Sequence, residues 1–482
     1  MAYDIEEARI KAAKAIEKAS AARKILELEP SIDSIESKPI SPVERALVHG
    51  NTEHQVALAF ADRYRGALIY EHHTNQWLEW TGHFWSVESK GAVQHYIREI
   101  AAQANDKISQ RSSFSRGVEF FCKNDPVFAI TSDQLDQENY LFNTPAGTIN
   151  LLTGECLDHA RSDLITNIAG CSPVEGYGKR FPQFLDEITC GDHDLQRFLQ
   201  ISLGSCLSGA LEEHWLMFWI GSGRNGKNTL GDAVMRVMGS YARKIASGTL
   251  MKSKHDGHPT EIANLKGCRL AVASEVDASA FWSEARINEL TGDAKLSARY
   301  MGGNFFEFDR TFKLLVYGNH RPRLNSITPA MQSRLKMVRF AADFTGKEAK
   351  ADPDLPAKLR AEDGHILTWL IDGHLLWIAN GKKLPKSKAV EVEIQDYVEC
   401  QATPENWMDE CLEPSGGQWT SSAELFANYT EWKKLRNEHA VSAVVWSEAM
   451  VKRYPKKKGS KSNLYQTSIK REIYTTYSSS GG

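Results

Sequence analysis

Between residues 195 and 380, short apolar runs alternate with stretches of helical periodicity, and LMFWI (216–220), RLAVAS (269–274) and FKLLVY (312–317) are continuous rather than alternating. Strands covered on both faces of a parallel sheet have that texture, so this stretch predicts a three-layer α/β domain. Upstream, from 51 to 190, WLEWTGHFWSVE and LFNTPAGTINLLTGE alternate apolar and polar residues with Gly, Asn and Thr as punctuation. That pattern predicts short strands. Trp77, Trp80 and Trp85 then read as a small β core in preference to a base-stacking surface. Residues 1–29 have an amphipathic helical pattern stopped by Pro30, followed by a polar linker to residue 50. A turn-rich, Lys-rich boundary falls at Asn380–Pro385. Beyond it, QWTSSAELFANYTEWKK and VSAVVWSEAMVKRY predict a small helical unit of winged-helix type. The expected units are 1–50, 51–190, 191–380 and 381–482.

Composition narrows the classes without choosing among them. With 42% hydrophobic and 25% charged residues, the 482-residue chain has the balance of a globular protein with several cores. The apolar stretch Ile366–Ala379 is interrupted by Asp372 and His374, and no run reaches the ~18 residues of a membrane span. The N-terminus lacks an apolar secretory core, so a cytoplasmic protein with no membrane partner is expected. The eight cysteines form no CxxC pair, which argues for reduced thiols over a zinc site. The cluster Cys190–Asp194 is explained by Asp192 or Asp194 capping the helix LQRFLQISLG. Net charge is only -3, yet Lys433–Arg471 holds eleven Lys and Arg against Glu438 and Glu448. A stretch of that sign suits contact with a phosphate backbone.

The chemistry concentrates after the first buried run. LMFWI leads directly into Gly221-Ser222-Gly223-Arg224-Asn225-Gly226-Lys227-Asn228-Thr229, and LGDAVMRVMG continues with helical periodicity. Strand, glycine-rich turn, lysine and helix together form a phosphate-binding loop. The glycines let amide groups converge on phosphate oxygens, the helix N-terminus adds partial positive charge, and Lys227 reaches the β- and γ-phosphates. The expected cofactors are ATP and Mg2+. The usual Ser or Thr after the lysine is Asn228 here and the first hydroxyl is Thr229, so either is a candidate Mg2+ ligand beside Glu275.

Hydrolysis needs a carboxylate at the end of a neighbouring strand, and Glu275 follows RLAVAS at that position, with Asp277 a second choice. The third run ends at Asn319, where a polar side chain can hold water or sense the γ-phosphate. Arg334, before the apolar run LKMVRF, is suited to stabilising phosphoryl charge, including across a subunit interface.

In this order the elements resemble the superfamily 3 helicases, in particular the helicase part of phage and plasmid primase-helicases. Gly221, Gly223, Asn225, Gly226 and Lys227 match the family's GxGxNGK loop, Glu275 its acid, Asn319 and Pro322 its sensor, and Arg334 its arginine finger, with Ser333 in place of a first Arg. LTGDAKLSARYMGGNFFEF (290–308) is similar to the family's B′ block, which ends in a DNA-gripping hairpin. The resemblance assigns DNA contact to Lys295, Arg299 and the tip at Gly302-Gly303-Asn304, although Arg299 could equally pair with Asp293. Residues 51–190 resemble the poxvirus-type accessory domain. The resemblance implies an AAA+-like P-loop domain between an α+β accessory domain and a C-terminal winged-helix-like domain. It also implies a homo-oligomer, most simply a hexamer, that acts on single-stranded and forked DNA beside a replication primase or polymerase. Two other readings compete: an origin-binding or loading protein using ATP as an assembly switch, and a P-loop kinase.

Overall fold

The computed structural model describes residues 52–103, 107–252, 259–274, 281–301, 305–321, 328–345, 352–401, 404–414, 416–435, 440–460 and 462–470. Among the described residues no helix is long and apolar enough to cross a membrane.

The first unit starts where Thr52 and Gln55 satisfy each other's backbone amides in a capping box, opening α1 (Glu53–Tyr64). Strands β1 (Leu68–Glu71), β2 (Gln76–Trp80) and β3 (Trp85–Val87) follow. Helices α2 (Ala92–Gln103) and α3 (Ser112–Lys123) come next, and β4 (Ala129–Ile130) completes a sheet of order β3-β2-β1-β4. Trp77 and Trp85 are buried; their indole N–H groups donate to Glu119 Oε1 at 3.1 Å and to the Arg161 carbonyl at 3.0 Å. Trp77 and Trp85 are therefore core, and Trp80 packs partly buried against Trp85. The three helices are an addition to the expected strands.

Strands β5 (Leu141–Thr144), β6 (Gly147–Asn150) and β7 (Cys156–Leu157) form an antiparallel sheet. Its Phe142 and Ile149 pack in the same core as α4 (Arg180–Thr189), α5 (His193–Ser205) and the sheet beyond. Packing thus runs continuously across residue 190. Asp192 caps α5, with Oδ1 accepting from Leu195 N at 2.9 Å, and this explains the Cys190–Asp194 cluster.

The central elements are β8 (Leu216–Ile220), α6 (Lys227–Met238), β9 (Ala242–Ile245), α7 (Pro259–Ala263), β10 (Leu270–Ser274), α8 (Glu284–Gly292), the hairpin β11 (Lys295–Ala298) and β12 (Phe306–Asp309), β13 (Lys313–Gly318), α9 (Pro329–Arg334) and β14 (Leu335–Arg339). Five strands form a sheet in the order β14-β8-β13-β10-β9, all pairings parallel. Continuous burial of LMFWI follows from its place inside this sheet: Met217 and Trp219 face one apolar layer, Leu216, Phe218 and Ile220 the other. The first layer contains α5, α6 and the buried α11 (Asp363–Ala379), which follows α10 (Leu355–Ala361). Asp372 and His374 within α11 find partners inside the fold, Asp372 Oδ2 in Tyr177 OH at 2.7 Å and His374 Nδ1 in the Gly204 carbonyl at 3.1 Å, while His374 Nε2 has no partner among the described residues. On the other face, α12 (Lys388–Gln401) packs along β14 and sends Tyr397 into the core, so the packed layer extends beyond residue 380.

The remaining elements are α13 (Pro404–Cys411), β15 (Leu412–Glu413), β16 (Thr420–Ser421), α14 (Ser422–Lys434), α15 (Ala443–Arg453), β17 (Lys456–Lys458), β18 (Asn463–Tyr465) and β19 (Ser468–Ile469). They close over their own aromatic core of Trp407, Tyr429, Trp432 and Trp446. Within the basic stretch, Lys433 is buried on this core, whereas Lys456, Lys457 and Lys458 are exposed on β17.

Candidate functional site

In open parallel sheets, ligands bind beyond the carboxyl ends of the strands where the connections diverge. Here β8 lies between β13 and β14, and the chain leaving it crosses to β9 at the far edge. The crevice therefore opens over Ile220, where the glycine-rich turn begins.

The turn's backbone explains its composition. Gly223 has φ +98° and Gly226 φ +83°, conformations that favour glycine. A Cβ on Gly226 would also collide with Ile188, and one on Gly221 with Asn225, whereas a Cβ on Gly223 would meet open space. Arg224 is left-handed as well, at φ +47°. Its carbonyl accepts from Phe344 N at 3.1 Å, which ties the turn to the segment after β14. Asn225 is buried; its Nδ2 donates to the Phe340 carbonyl at 3.2 Å, and its Oδ1 has no partner among the described residues. Helix α6 then starts at Lys227, so the first-turn amides of Lys227, Asn228 and Thr229 have no acceptor within the helix.

Lys227 is 4% exposed. Its Nζ donates to the Gly221 carbonyl at 3.2 Å and to Asn319 Oδ1 at 2.8 Å. Burial lowers its ammonium pKa from the usual lysine range. The fold thus brings together two residues 92 positions apart, one at the start of α6 and one just beyond β13. Open space at Gly223, unpaired helix amides and a buried ammonium fit a polyanion such as a nucleotide phosphate chain. Asn228 is exposed and Thr229 half-buried in that first turn. A nucleotide-bound Mg2+ needs only one or two such protein oxygens, since phosphates and water supply the rest. Among the described residues no group of three or more His, Cys, Asp or Glu is arranged to hold a metal ion by itself.

The other expected site residues lie elsewhere. Glu275 and Asp277, Asn304 with the rest of the Gly302-Gly303-Asn304 tip, and Pro322 lie outside the described residues. Ser274, immediately before Glu275, pairs in register with Tyr317, two residues before Asn319. Arg334 does not join Lys227 and Asn319. It ends α9 at the amino edge of the sheet, where Leu335 pairs with Leu216 and Arg339 with Ile220. The length of β8, four strand steps or roughly 13 Å from Leu216 to Ile220, lies between it and the loop. Its Nε is buried without a partner among the described residues.

The expected hairpin is present, with Lys295 opposite Asp309 and Ala298 opposite Phe306. Lys295 and Arg299 are exposed. The Arg299 guanidinium lies over the Phe305 ring, 5.0 Å from its centroid. Met301 and Phe305 are also exposed, at 84% and 62%. Sequence reasoning passed over Arg339 and Glu393, which meet beside the loop. Their only local signals are an arginine ending an apolar run and an acid on an amphipathic helix.

Comparison with known proteins gives relatives for both halves. Residues 57–190 match the family described as D5 N terminal like, and residues 219–334 match a family of unknown function (DUF5906). A proposed helicase of Acanthamoeba polyphaga mimivirus is 26% identical over 258 residues, covering 52% of this chain and 26% of that protein. A proposed primase of African swine fever virus (strain Badajoz 1971 Vero-adapted) is 21% identical over 260 residues, 50% of this chain and 27% of that protein. The matched stretch thus spans about a quarter of each viral relative's length. The A form apo structure of the NrS-1 C terminal region aligns with TM-score 0.48 at 10% identity, covering 84% of this chain and 96% of that one.

Proposed function

We propose, from the premise that the chain belongs to a D5-like primase-helicase family, that it is an ATP-dependent DNA helicase of superfamily 3 type. The observation that carries this reading is the meeting of Lys227 with Asn319 beside a glycine turn whose first helix amides have no acceptor within the helix. Lys227 and the amides of residues 221–229 hold the phosphates of ATP. Asn319 exchanges its bond with Lys227 for one to the γ-phosphate or its water, and so reports nucleotide state. Asn228, Thr229 and Glu275 are the candidate ligands of Mg2+, which when bound neutralises phosphate charge. Glu275 orients the attacking water.

The position of Arg334 supports assembly. An arginine at the amino edge of the sheet is too far from its own loop to stabilise phosphoryl charge there, but it can meet the loop of a neighbouring subunit. A homo-oligomer, most simply a hexameric ring, gives every loop such an arginine. Hydrolysis then shifts each interface, and the β11–β12 hairpin carries single-stranded DNA through Lys295, Arg299 and Asn304. The C-terminal unit, in which two helices precede an exposed lysine strand, fits a winged-helix contact to DNA phosphates.

Turnover of ATP with single-stranded DNA, and strand displacement on a forked duplex, test the reading together. Wild type should do both. Lys227→Ala should lose turnover by roughly 100-fold or more, given the weight of such charge stabilisation. Turnover at wild-type rate in Lys227→Ala rules out this site. ATP-dependent DNA binding without strand displacement favours the loading-protein alternative.

A further inference from the structure

Beside the loop, one buried carboxylate grips two arginines, one in the segment after β13 and one at the end of β14. Glu393, on α12, is 4% exposed. It accepts from Arg321 Nη2 at 2.5 Å and Nε at 2.9 Å, and from Arg339 Nε at 2.6 Å and Nη2 at 3.3 Å. Asp396, one turn along and largely exposed, stands 4.0 Å from Arg321.

Each arginine leads to one wall of the loop. Arg321 lies two residues beyond Asn319, whose side chain accepts from Lys227. The backbone of Asn319 is thus anchored on one side by β13 and on the other by the Arg321 contact. Arg339 is the last residue of β14 and precedes Phe340. The Phe340 N–H donates to the Ile220 carbonyl at 2.8 Å, and its carbonyl receives Asn225 Nδ2 at 3.2 Å. Arg339 thereby holds the segment on which the buried Asn225 leans. Two-pronged guanidinium contacts define direction as well as distance, and a buried carboxylate is tolerated only where such contacts are kept.

We propose that Glu393 is a positioning residue for nucleotide turnover: it clasps Arg321 and Arg339 so that Asn319 and the Asn225 side of the loop keep a fixed separation. This rests on the function proposed above and adds a residue from outside the five-stranded sheet. Opening the clasp leaves Lys227 and the loop amides in place, so nucleotide still binds. It loosens the group that must be aligned with the γ-phosphate, and small misplacements of aligned groups cost about 10- to 100-fold in rate.

The test is steady-state ATP turnover of the full chain with Glu393→Gln, which preserves volume and removes the charge. We expect kcat to fall at least about 10-fold while KM for ATP stays within about twofold, the signature of lost transition-state alignment. Arg321→Gln should fall by a similar factor, and the double variant no further than the worse single one, because both break the same contact. A wild-type kcat in Glu393→Gln with an unchanged melting temperature overturns the clasp. Should Glu393→Gln melt early, Arg321→Lys keeps the charge but not the two-pronged grip, and unchanged kcat in that variant overturns the proposal equally. The two readings fail differently. A wild-type chain without Lys227-dependent turnover removes the proposed function and the clasp together. Lys227-dependent turnover that ignores Glu393 and Arg321 removes the clasp alone.

Discussion

Two buried lysines sit at opposite ends of the same sheet, and their surroundings differ in one decisive respect. Lys313 opens β13 at the amino end. Its Nζ donates to the carbonyls of Ser205 at 2.9 Å, Ser208 at 3.1 Å and Ala210 at 2.7 Å. Every N–H of the ammonium has a backbone acceptor, at the carboxyl end of α5 where helix carbonyls lack partners. Lys227, at the carboxyl end, makes two such contacts, one of them to a side chain. Beside it are helix amides without acceptors and open space at Gly223. Both lysines are held below their usual pKa range by burial, Lys313 down to about 8. Burial and pKa therefore do not distinguish structural from functional lysines; unspent hydrogen-bonding capacity does.

The amino end repeats the closed pattern. Arg269, buried at the start of β10, donates to the carbonyls of Leu207 at 2.5 Å, Leu141 at 2.7 Å and Glu138 at 3.2 Å. Its guanidinium also stacks over Tyr241, 4.5 Å from the ring centroid. These contacts tie β5 and the α5 terminus to the sheet.

Lys313→Met should give the largest separation of the two ends. It takes a donor from three buried carbonyls, of which Ser205 alone keeps another in Ser208 Oγ, and should cost roughly 3 kcal/mol in denaturant unfolding. Lys227→Met should cost less, about 1 kcal/mol, because of the two acceptors it abandons only the Gly221 carbonyl is buried and Asn319 is exposed. A comparable loss in both variants would erase the distinction.

Next in size is a pH effect confined to the closed end. Burial holds His374 at about 3, with Lys313, Arg269 and Lys382 adding to the shift. In the unfolded chain it takes up a proton near pH 6.5, whereas in the folded chain it does not until about 3. The unfolded state therefore binds more protons across that window, and stability falls as pH is lowered through it. Between pH 7 and 4.5 wild type should lose about 2 kcal/mol more than His374→Asn, measured by urea midpoints. Parallel pH curves for the two proteins would contradict this.

How much of this contrast the sequence carries depends on the range of each signal. Continuous apolar runs located β8, β10 and β13 within a residue, and the glycines with Lys227 identified the turn. Each of those signals is local. The strand order is not local, and with it goes the placement of Arg334 at the far edge from its own loop. Helices α1 and α2 were legible but passed over, since Val56, Ala57, Phe60 and Ala61 and then Val93, Ile97, Ile100 and Ala101 keep helical spacing; α3 is masked by exposed Phe120 and Phe121, at 66% and 42%, beside buried Phe114 and Val118. The clasp was beyond reach, since Glu393 lies 72 residues from Arg321 and 54 from Arg339. Lys313 and Arg269 look like solvated strand ends until their carbonyl partners are in place.

The smallest expected effect serves as a control on both ends. Asp192→Ala removes one cap bond at the start of α5 and should cost about 1 kcal/mol of stability with unchanged ATP turnover. Altered turnover would show that α5 communicates with the loop.

Thermal unfolding with and without ATP and Mg2+ bears most directly on the loop as a triphosphate site. Ligand at about 100 times its Kd stabilises by roughly 2.7 kcal/mol, so wild type should melt several degrees higher with nucleotide, whereas Lys227→Ala should show almost no shift. An equal shift in both proteins would mean that ATP binds elsewhere, and would contradict the assignment of Lys227 and Asn319 as the nucleotide-sensing pair.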